Sequence, residues 1–598
     1  MKNKKKNISK SRRNFLKSTA LASAASVTGF SSSRGKKLPS NSPKLLKNQN
    51  ANNGETLYNG IRLTKPWPPR NMSPNSYDPM PLNYLSSPPD VIPIDIGRQL
   101  FVDDFIIEKT NLKRVFHQPT KHEANPLLSP ETKVELNSGY CPVAAPFSDG
   151  CFFDPKDQLF KMWYMAGWFD GTALATSKDG IHWDRPNLDV VPGTNLVLPP
   201  GESRDGVSVW IDHEASDPSE RYKMYRFERI GTLGEKLVKG AGYILTSEDG
   251  IHWNWRGKIG KTGDNSTFFY NPFRKKWVFT VRAFGRQVPP WDPNTWNGSS
   301  RGRARSYWEN SDFLGPIDGW KQFEPVFWLG MDRNDMKRAN YDIGREPQLY
   351  KLDAVGYESI MIGLIQTHYG PPNTECAKEG FPKLTELQLA YSRDGFHWDR
   401  TNRDTFIGGT LNKDSWERAY IHSIGGVCNI VDDKLYFYYS AFKGDDRNRH
   451  DLQYWSGMYA NGSTGLAILR RDGFASMDAN DDQGTLLTRK ISSNGKFLFV
   501  NVEGSKGELS AEICDEFGHA IKGYEKEKSL PLNINSTKKM MTWKGKRNLG
   551  QISGKTIRIK FFAKNLRLYS FWISKNKNGV SGGSNAAGGP GLSGNWDI

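Results

Sequence analysis

The sequence has few cysteines and, after its first thirty residues, no long apolar run. Five cysteines in 598 residues, none of them in a Cys-x-x-Cys pair, are too few for a disulfide framework. Buried thiols are the simplest interpretation of Cys141, Cys151, Cys376, Cys428 and Cys514. A membrane-spanning helix needs about 20 apolar residues, so the lack of such a run argues against a membrane-spanning protein.

The sequence also lacks nucleic-acid-binding motifs, although its net charge is +18. The excess of positive charge lies at the two ends of the chain: residues 1–60 carry a net charge of +12 and residues 485–598 carry +11. Residues 61–484 therefore carry −5. No aromatic-basic motif and no zinc-finger spacing accompany the basic residues. We therefore expect no nucleic-acid partner. The basic end domain either helps to hold an anionic polymer or is a solvated lysine-rich surface.

Aromatic residues are abundant, at 12% of the chain, and the sequence has 58 glycines and 34 prolines. The chain is too long for one ordinary domain. This aromatic content favours β-structure and, more weakly, sugar binding.

A short motif repeats along the chain. Ser-x-Asp-Gly-x-His-Trp occurs at residues 177–183, 247–253 and 392–398. The first two aspartates are 70 residues apart and the last two are 145 apart, which indicates a degenerate copy between them. A weak copy follows at residues 471–474. The sequence therefore predicts five repeated units.

Each unit also has an Asp- or Asn-rich turn that leads into an alternating aromatic strand, as at residues 153–164 and 216–225. Two hairpins per unit give four short strands, the pattern of a β-propeller blade. After residue 484 the pattern changes to alternating strands with glycine turns, which is typical of a β-sandwich. We predict an all-β fold with a five-bladed β-propeller followed by a β-sandwich.

The repeated motif has a structural role in this interpretation. The aspartate caps the turn, the glycine takes the left-handed conformation, and the tryptophan packs between blades. His182, His252 and His397 occupy equivalent positions on different blades. They are therefore expected around a ring rather than together, which argues against a metal site.

The two landmarks together resemble the five-bladed propeller glycosidases, the superfamily of the arabinosidase/xylosidase, invertase/inulinase and mannoside-phosphorylase families. The resemblance covers about residues 95–480. Residues 498–573 resemble the C-terminal sandwich of the invertase-like group. The resemblance to the propeller glycosidases implies a carbohydrate-active enzyme, but it does not determine which activity the enzyme has.

The N-terminal residues resemble an export signal. Residues 11–17 read Ser-Arg-Arg-Asn-Phe-Leu-Lys, the consensus of the twin-arginine signal, and a mild apolar stretch follows. We expect residues 1–33 to be this signal and the folded protein to be periplasmic or secreted. The other predicted boundaries are a disordered linker and lead-in at 34–94, the propeller at 95–484, the sandwich at 485–574 and a flexible glycine-rich tail at 575–598.

In the propeller glycosidases, carboxylates at the mouth of the central channel divide the catalytic work, and two opposed carboxyl groups are the minimum for hydrolysis. The resemblance implies that such residues lie at the start of each innermost strand. The candidate catalytic residues are Asp205, Asp264, Glu346, Asp104 and His422. The corresponding segment of the first unit, residues 138–142, has no acid, so the usual nucleophile or base has no obvious counterpart.

A second mechanism fits a different set of residues. An arginine can pair with the carboxylate of a uronic acid, and a tyrosine or histidine can take the proton at C5, so that elimination across C4–C5 follows. The candidate substrate-binding residues are Arg345, Arg204, Tyr140 and His368.

The predicted function is an exported enzyme that acts on the non-reducing end of oligosaccharides from an anionic, uronic-acid-containing polysaccharide, such as an algal one. Hydrolysis by paired carboxylates is the first expectation. A dehydratase or lyase that forms an unsaturated sugar is the alternative, and a non-catalytic sugar-binding propeller is the second alternative. We expect no required cofactor. The resemblance is compatible with a central structural cation, but the sequence shows no ligand set for one.

Overall fold

Short strands dominate the chain. The computed structural model describes residues 54–200, 204–230, 239–287, 301–317, 319–336, 346–371, 376, 380–446 and 456–598. Helices in these ranges are short: α1 (Asn83–Ser86), α2 (Ser456–Tyr459), and 3-10 turns at Asn137–Gly139, Pro218–Glu220, Lys526–Lys528 and Gly550–Ile552. Within the same ranges, no helix has the length and apolar character needed to span a membrane.

Five short strands come first along the described chain. They are β1 (Ile92–Pro93), β2 (Gln99–Leu100), β3 (Ile107–Thr110), β4 (Lys113–Phe116) and β5 (Thr120–Lys121).

The strands of the propeller follow, blade by blade. Blade 1 has β6 (Ala144–Asp154), β7 (Leu159–Ala166), β8 (Gly171–Ser177) and β9 (Leu196–Leu198). Blade 2 has β10 (Arg204–Ile211), β11 (Tyr222–Ile230), β12 (Lys239–Ser247) and β13 (Asn254–Lys258). Blade 3 has β14 (Thr267–Asn271), β15 (Lys276–Gln287), β16 (Arg301–Asn310) and β17 (Val326–Leu329). Blade 4 has β18 (Gln348–Glu358), β19 (Ile360–Gly370) and β20 (Leu384–Ser392). Blade 5 has β21 (Ala419–Ser423), β22 (Asn429–Val431), β23 (Lys434–Phe442) and β24 (Gly462–Arg470).

The remaining strands run to the end of the chain. They are β25 (Ala475–Ala479), β26 (Gly484–Thr488), β27 (Ile491–Ser492), β28 (Phe497–Glu503), β29 (Glu508–Cys514), β30 (Asn535–Met540), β31 (Thr556–Lys564), β32 (Leu566–Ser574) and β33 (Ser584–Asn585).

The blades form a closed ring, which confirms the predicted five-bladed propeller. Neighbouring strands within each blade pair antiparallel. The innermost strands meet in chain order, β6 with β10, β10 with β14 and β14 with β18, while β21 contacts blade 4 and β6. The outermost strand of blade 5 is β5, from the beginning of the described chain. The ring is therefore fastened by a strand that is distant in sequence.

The repeated turns explain why the motif recurs. In the first copy, Asp179 Oδ1 accepts the backbone N–H groups of Ile181 and His182, and Gly180 has a φ of 76°. The imidazole of His182 also bonds to the Asp179 carboxylate, at 2.7 Å. The other two copies repeat this geometry, so these histidines cap turns.

An aromatic side chain of the preceding blade fixes each of these turns. Trp163 Nε1 donates to the carbonyl of Gly250, and Trp328 Nε1 donates to the carbonyl of Phe396. Tyr438 makes the equivalent bond to Gly180 across the point of ring closure. These contacts connect neighbouring blades by both burial and hydrogen bonding.

Two further sheets pack face to face as a β-sandwich. One has the order β1-β27-β31-β26-β3 with β29 beside β31, and the other β30-β28-β32-β25-β4 with β2 beside β32. Their inward-facing residues share one apolar core, which includes Ile559, Phe561, Val500 and Phe571. The sandwich thus includes β1–β4, β25 and β26. Of these, β2, β3, β4 and β25 lie within the range 95–484 that the sequence assigned to the propeller.

The lead-in and the tail differ from the sequence predictions. Leu57, Ile61 and Leu63 are buried in the sandwich core, so residues 54–94 are not a disordered linker. In the tail, β33 pairs with the end of β18, and the Ala587 carbonyl accepts the N–H of Phe153. The backbone groups of the tail bond to the far ends of the innermost strands, and these bonds order it. A glycine-rich composition does not predict such bonds. The predicted signal at 1–33 lies outside the described residues.

Candidate active site

A polar pocket lies at the mouth of the central channel, and every blade contributes to it. The contributions from the innermost strands or the residues just before them are Phe147, Asp205, Asn265, Tyr350 and Tyr420. All five lie close to the start of an innermost strand. They meet at the mouth because a propeller's innermost strands all run from it in the same direction. The other lining residues described are Trp168, Phe169, Arg229, Asp264, Arg282, Arg303, Lys383 and Tyr459.

Two predicted catalytic residues, Asp205 and Asp264, come together in this pocket through one arginine. Arg229 Nε donates to Asp205 at 2.5 Å, and its Nη2 donates to Asp264 at 2.8 Å. Arg282 pairs with the other oxygen of Asp264. Both carboxylates therefore hold guanidinium groups in place at the pocket wall.

Cations outnumber carboxylates among the described lining residues. The described lining includes four cations, Arg229, Arg282, Arg303 and Lys383, and two carboxylates, Asp205 and Asp264. Burial, together with the like charges of Arg303 and Arg229, lowers the pKa of Arg282 to about 10. Such crowding of positive charge is relieved by a bound anion.

A second cluster joins three tyrosines to the buried Lys383 ammonium. Lys383 Nζ donates to the hydroxyl groups of Tyr459 at 2.6 Å and Tyr350 at 3.1 Å. The Tyr350 hydroxyl also lies 3.1 Å from that of Tyr420. The guanidinium of Arg303 sits 5.4 Å from the centre of the Tyr350 ring.

The charges around Tyr350 make it an unusually acidic phenol. Burial raises the pKa of Tyr350, but the Lys383 ammonium and the Arg303 guanidinium more than offset this, so the pKa falls from 10.0 to about 8. Burial raises the pKa of Tyr459 to about 12 although Lys383 opposes the change. The different environments of these two tyrosines therefore give them different pKa values. Two titratable groups with separated pKa values in one pocket are typical of an acid–base pair.

Beneath the pocket, the channel is filled by buried ion pairs. Arg204 holds Asp149 through two bonds of 2.9 and 3.2 Å, and both side chains are fully buried. Arg204, predicted to bind substrate, is therefore occupied by a carboxylate of blade 1. Asp149 was missed because it lies at an irregularity of β6, several residues after the segment where an acid was sought.

Lys351 occupies the channel axis and bridges three blades. Its Nζ donates to Ser148 Oγ at 2.9 Å and to the Ser423 carbonyl at 2.5 Å, and it lies 3.0 Å from Asp353. No group of acids, histidines and cysteines within the described ranges could hold a metal ion. Because an ammonium stands among these oxygens, the residues present do not fit a central cation.

The two predicted histidines lie behind the tyrosines. The ring of His422 is 4.4 Å from that of Tyr420, and the ring of His368 is 5.4 Å from that of Tyr350. Burial, then the charges of Lys351 and Lys383, lower the pKa of His422 well below its usual value. Burial, then Arg303 and Lys383, do the same to the pKa of His368. These shifts favour the neutral imidazoles, and neither histidine is among the described residues that line the pocket.

Three other predicted residues lie elsewhere. Glu346 pairs with Arg286 in a neighbouring cavity, and Asp104 is exposed and pairs with Arg114 beside the sandwich core. Tyr140 is 38% exposed and does not line the pocket in the part of the chain described. Arg345 lies outside the described residues.

The fold and this site define a five-bladed propeller protein with a cationic, tyrosine-lined pocket at its channel mouth. No protein-family model matches the chain, and no curated protein matches it.

Several solved structures are similar at low identity. An N-acetylgalactosamine deacetylase from F. plautii is 17% identical, with 58% of this chain and 97% of that chain covered and a TM-score of 0.35. An exo-beta-1,3-galactanase from Phanerochaete chrysosporium is 10% identical, with 74% and 99% covered and a TM-score of 0.32. A Bombyx mori GH32 beta-fructofuranosidase is 11% identical, with 72% and 92% covered and a TM-score of 0.32. At this level of similarity, nothing about activity or substrate follows for this chain.

Proposed function

We propose that this protein is a carbohydrate-active enzyme that eliminates across C4–C5 of a terminal uronic acid to give an unsaturated sugar. The observation that carries the proposal is the buried Lys383 ammonium, which donates to the hydroxyl groups of Tyr350 at 3.1 Å and Tyr459 at 2.6 Å at the channel mouth. Against the effect of burial, and together with Arg303, it lowers the pKa of the Tyr350 phenol to about 8. A base with a pKa near the working pH is the group that proton abstraction requires.

The excess of cations in the pocket supports an anionic substrate. A uronate carboxylate pairs with a guanidinium through two parallel hydrogen bonds. Arg282 and Arg303 both line the pocket, and each is only partly buried. Neutralising the carboxylate makes the adjacent C5–H more acidic, because negative charge that develops at C5 spreads onto the carboxyl group.

The elimination uses the two tyrosines in different roles. The Tyr350 phenolate takes the proton from C5, the C5–H electron pair becomes the C4–C5 double bond, and the C4–O bond breaks. Tyr459 retains its proton because its pKa is raised to about 12, and it donates that proton to the departing oxygen. A free 4-hydroxyl leaves as water, whereas a glycosidic oxygen leaves as the hydroxyl of a second sugar.

Lys383 favours the phenolate form of Tyr350, and Arg303 adds to this effect at Tyr350. Lys383 donates to both tyrosines and is buried with them, so its charge stabilises the phenolate of Tyr350. Trp168, stacked on Tyr459 at 4.1 Å, closes one side of the pocket, which favours a chain end over an internal sugar.

Hydrolysis by paired carboxylates is the second candidate. The observation in its favour is that Asp205 and Asp264 line the same pocket. Against it, Arg229 bonds to both of them, whereas hydrolysis needs one carboxyl group to act as an acid. A sugar-binding propeller without catalysis is the third candidate.

Two conservative variants distinguish the candidates. Tyr350→Phe removes the base and should abolish formation of the unsaturated sugar, while Asp264→Asn should retain part of the activity. The assay follows uronic-acid oligosaccharides by mass spectrometry and ultraviolet absorbance. Full activity of Tyr350→Phe, with loss of activity in Asp264→Asn, would support hydrolysis instead.

We also propose export by the twin-arginine route. Its support is the Ser-Arg-Arg-Asn-Phe-Leu-Lys sequence at residues 11–17. Replacing Arg12 and Arg13 together by lysine should retain the protein in the cytoplasmic fraction of a host with this pathway. Unchanged export of that variant would refute the proposal.

A further inference from the structure

A second cavity adjoins the pocket and shares Arg303 with it. Its outer wall is the lead-in segment 71–81, and its inner wall is blade 3 together with Glu346 and Pro347. Gly285, Gly302 and Ala304 lie along the blade side, where the absence of larger side chains leaves room. We call this cavity the lead-in groove.

A charged pair lines the lead-in groove, and the ring of Tyr77 packs against it from outside the described lining. The guanidinium of Arg286 lies 3.6 Å from the centre of the Tyr77 ring and pairs with the Glu346 carboxylate. Tyr77 is 38% exposed. The Tyr77 carbonyl accepts the N–H of Arg333 at 2.8 Å, which ties the segment to the end of blade 3.

The groove continues away from the pocket. Met80, Leu329 and Asp332 line both the lead-in groove and a further cavity, which Arg400 and Arg403 also line. The three cavities are therefore neighbours: Arg303 lines both the pocket and the lead-in groove, and the groove shares lining residues with the third cavity. Aromatic and apolar walls with a few charged groups are the usual lining of an oligosaccharide site, because a pyranose ring has apolar C–H faces and a rim of hydroxyl groups.

We propose that the lead-in groove binds the sugar units that follow the terminal uronic acid of the substrate. This inference rests on the proposed function and adds its substrate class: oligosaccharides of at least three units rather than disaccharides. Arg286 and Glu346 bond to the hydroxyl groups of a sugar ring, and Tyr77 holds the Arg286 guanidinium in position by packing against it. Arg303 lies at the junction between the terminal unit and the next one.

The test is the dependence of kcat/KM on chain length. The substrates are di-, tri- and tetrasaccharides of the uronic-acid series on which the enzyme is active. For the wild type, the tetrasaccharide should exceed the disaccharide by about tenfold or more, a typical gain for one well-filled subsite. In Tyr77→Ala this ratio should fall towards one, because Arg286 loses the ring that positions it. Trp255→Ala, an exposed aromatic beside Arg226 on blade 2, is the matched control and should keep the wild-type ratio.

A wild-type ratio near one, or an unchanged ratio in Tyr77→Ala, would overturn the proposal. If Tyr77→Ala does not fold, Glu346→Gln decides, because it keeps the side-chain shape, loosens Arg286, and should lower the ratio about threefold. If no oligosaccharide reacts, the proposed function fails separately. The groove is then tested by calorimetric binding of the same oligosaccharides, where equal affinities of wild type and Tyr77→Ala would overturn it.

Discussion

The role of Lys383 gives a prediction that a merely structural residue would not satisfy. Lys383→Met removes the ammonium that donates to Tyr350 at 3.1 Å while keeping a side chain of similar length. Without this charge, burial is opposed mainly by Arg303, so the pKa of Tyr350 should return to at least its usual 10.0. At pH 7 the phenolate fraction would fall from about one tenth to about one thousandth, since each pKa unit changes it tenfold.

The expected result is a loss of about a hundredfold in kcat/KM at pH 7, together with a displaced pH profile. In the wild type, kcat/KM should rise tenfold per pH unit and level off above pH about 8, because the deprotonated Tyr350 is the active form. In Lys383→Met the rise should continue towards pH 10, so that activity is partly recovered there. The assay is the initial rate of ultraviolet absorbance from the unsaturated product, measured across this pH range.

Lys121→Met is the matched control. Lys121 also lies near a tyrosine ring, 5.9 Å from the centre of Tyr439, but outside the pocket. Its pH profile should coincide with that of the wild type. If the Lys383→Met profile has the wild-type shape at a lower amplitude, Lys383 does not set the pKa of the base, and the reasoning about Tyr350 is refuted.

Three further variants test the site and its support. Asp205→Asn should raise KM for the uronic-acid substrate about tenfold, because Arg229 loses one of its two carboxylate partners, with kcat changed less than about threefold. A collapse of kcat in steady-state kinetics would favour hydrolysis instead. Lys351→Met leaves Asp353 buried without its ammonium and should lower the free energy of unfolding by about 3–5 kcal/mol, and guanidinium denaturation showing less than about 1 kcal/mol would contradict this. Asp472→Asn should also destabilise the protein, but by less, because Arg98 loses one buried carboxylate and keeps Glu358. Burial raises the pKa of Asp472, but Arg98 and Arg471 lower it to about 2, so its contribution is present above pH about 4 and lost as pH falls through 2. Melting temperatures that differ equally from wild type at pH 2 and pH 6 would contradict that account.

Asp472 also shows what the repeated motif can and cannot predict. The fifth copy of the Asp-Gly turn was recognisable at residues 471–474, but its aspartate does not cap the turn as the others do. It accepts bonds from Tyr357 of blade 4, from Arg98, and from Ser570 of the sandwich. Local sequence predicts a turn, whereas the partners of a buried carboxylate depend on how distant segments meet.

The candidate site was predictable only where its residues begin an innermost strand. Asp205 and Asp264 meet this condition, and both line the pocket. Arg229 and Arg282 lie on second strands and Lys383 precedes a third strand, so only the register between strands brings them to the mouth. One signal was available: Arg301, Arg303 and Arg305 alternate along β16, and their burial increases in that order.

In the glycine-rich tail, the sequence prediction of a flexible segment was wrong. Its composition predicted flexibility, yet Trp596 is buried, packs at 6.0 Å from Phe273, and donates to Glu214. A segment with few apolar residues can be ordered by backbone bonds to strand ends, which composition does not encode.

The measurement that tests the central claim most directly is a reaction with a panel of neutral and uronic-acid oligosaccharides, read by mass spectrometry and ultraviolet absorbance. The account predicts a uronic-acid substrate and new absorbance from a C4–C5 double bond, with the mass of one water lost or with cleavage that adds no water. Cleavage that adds one water, without new absorbance, would contradict the elimination mechanism and identify a hydrolase.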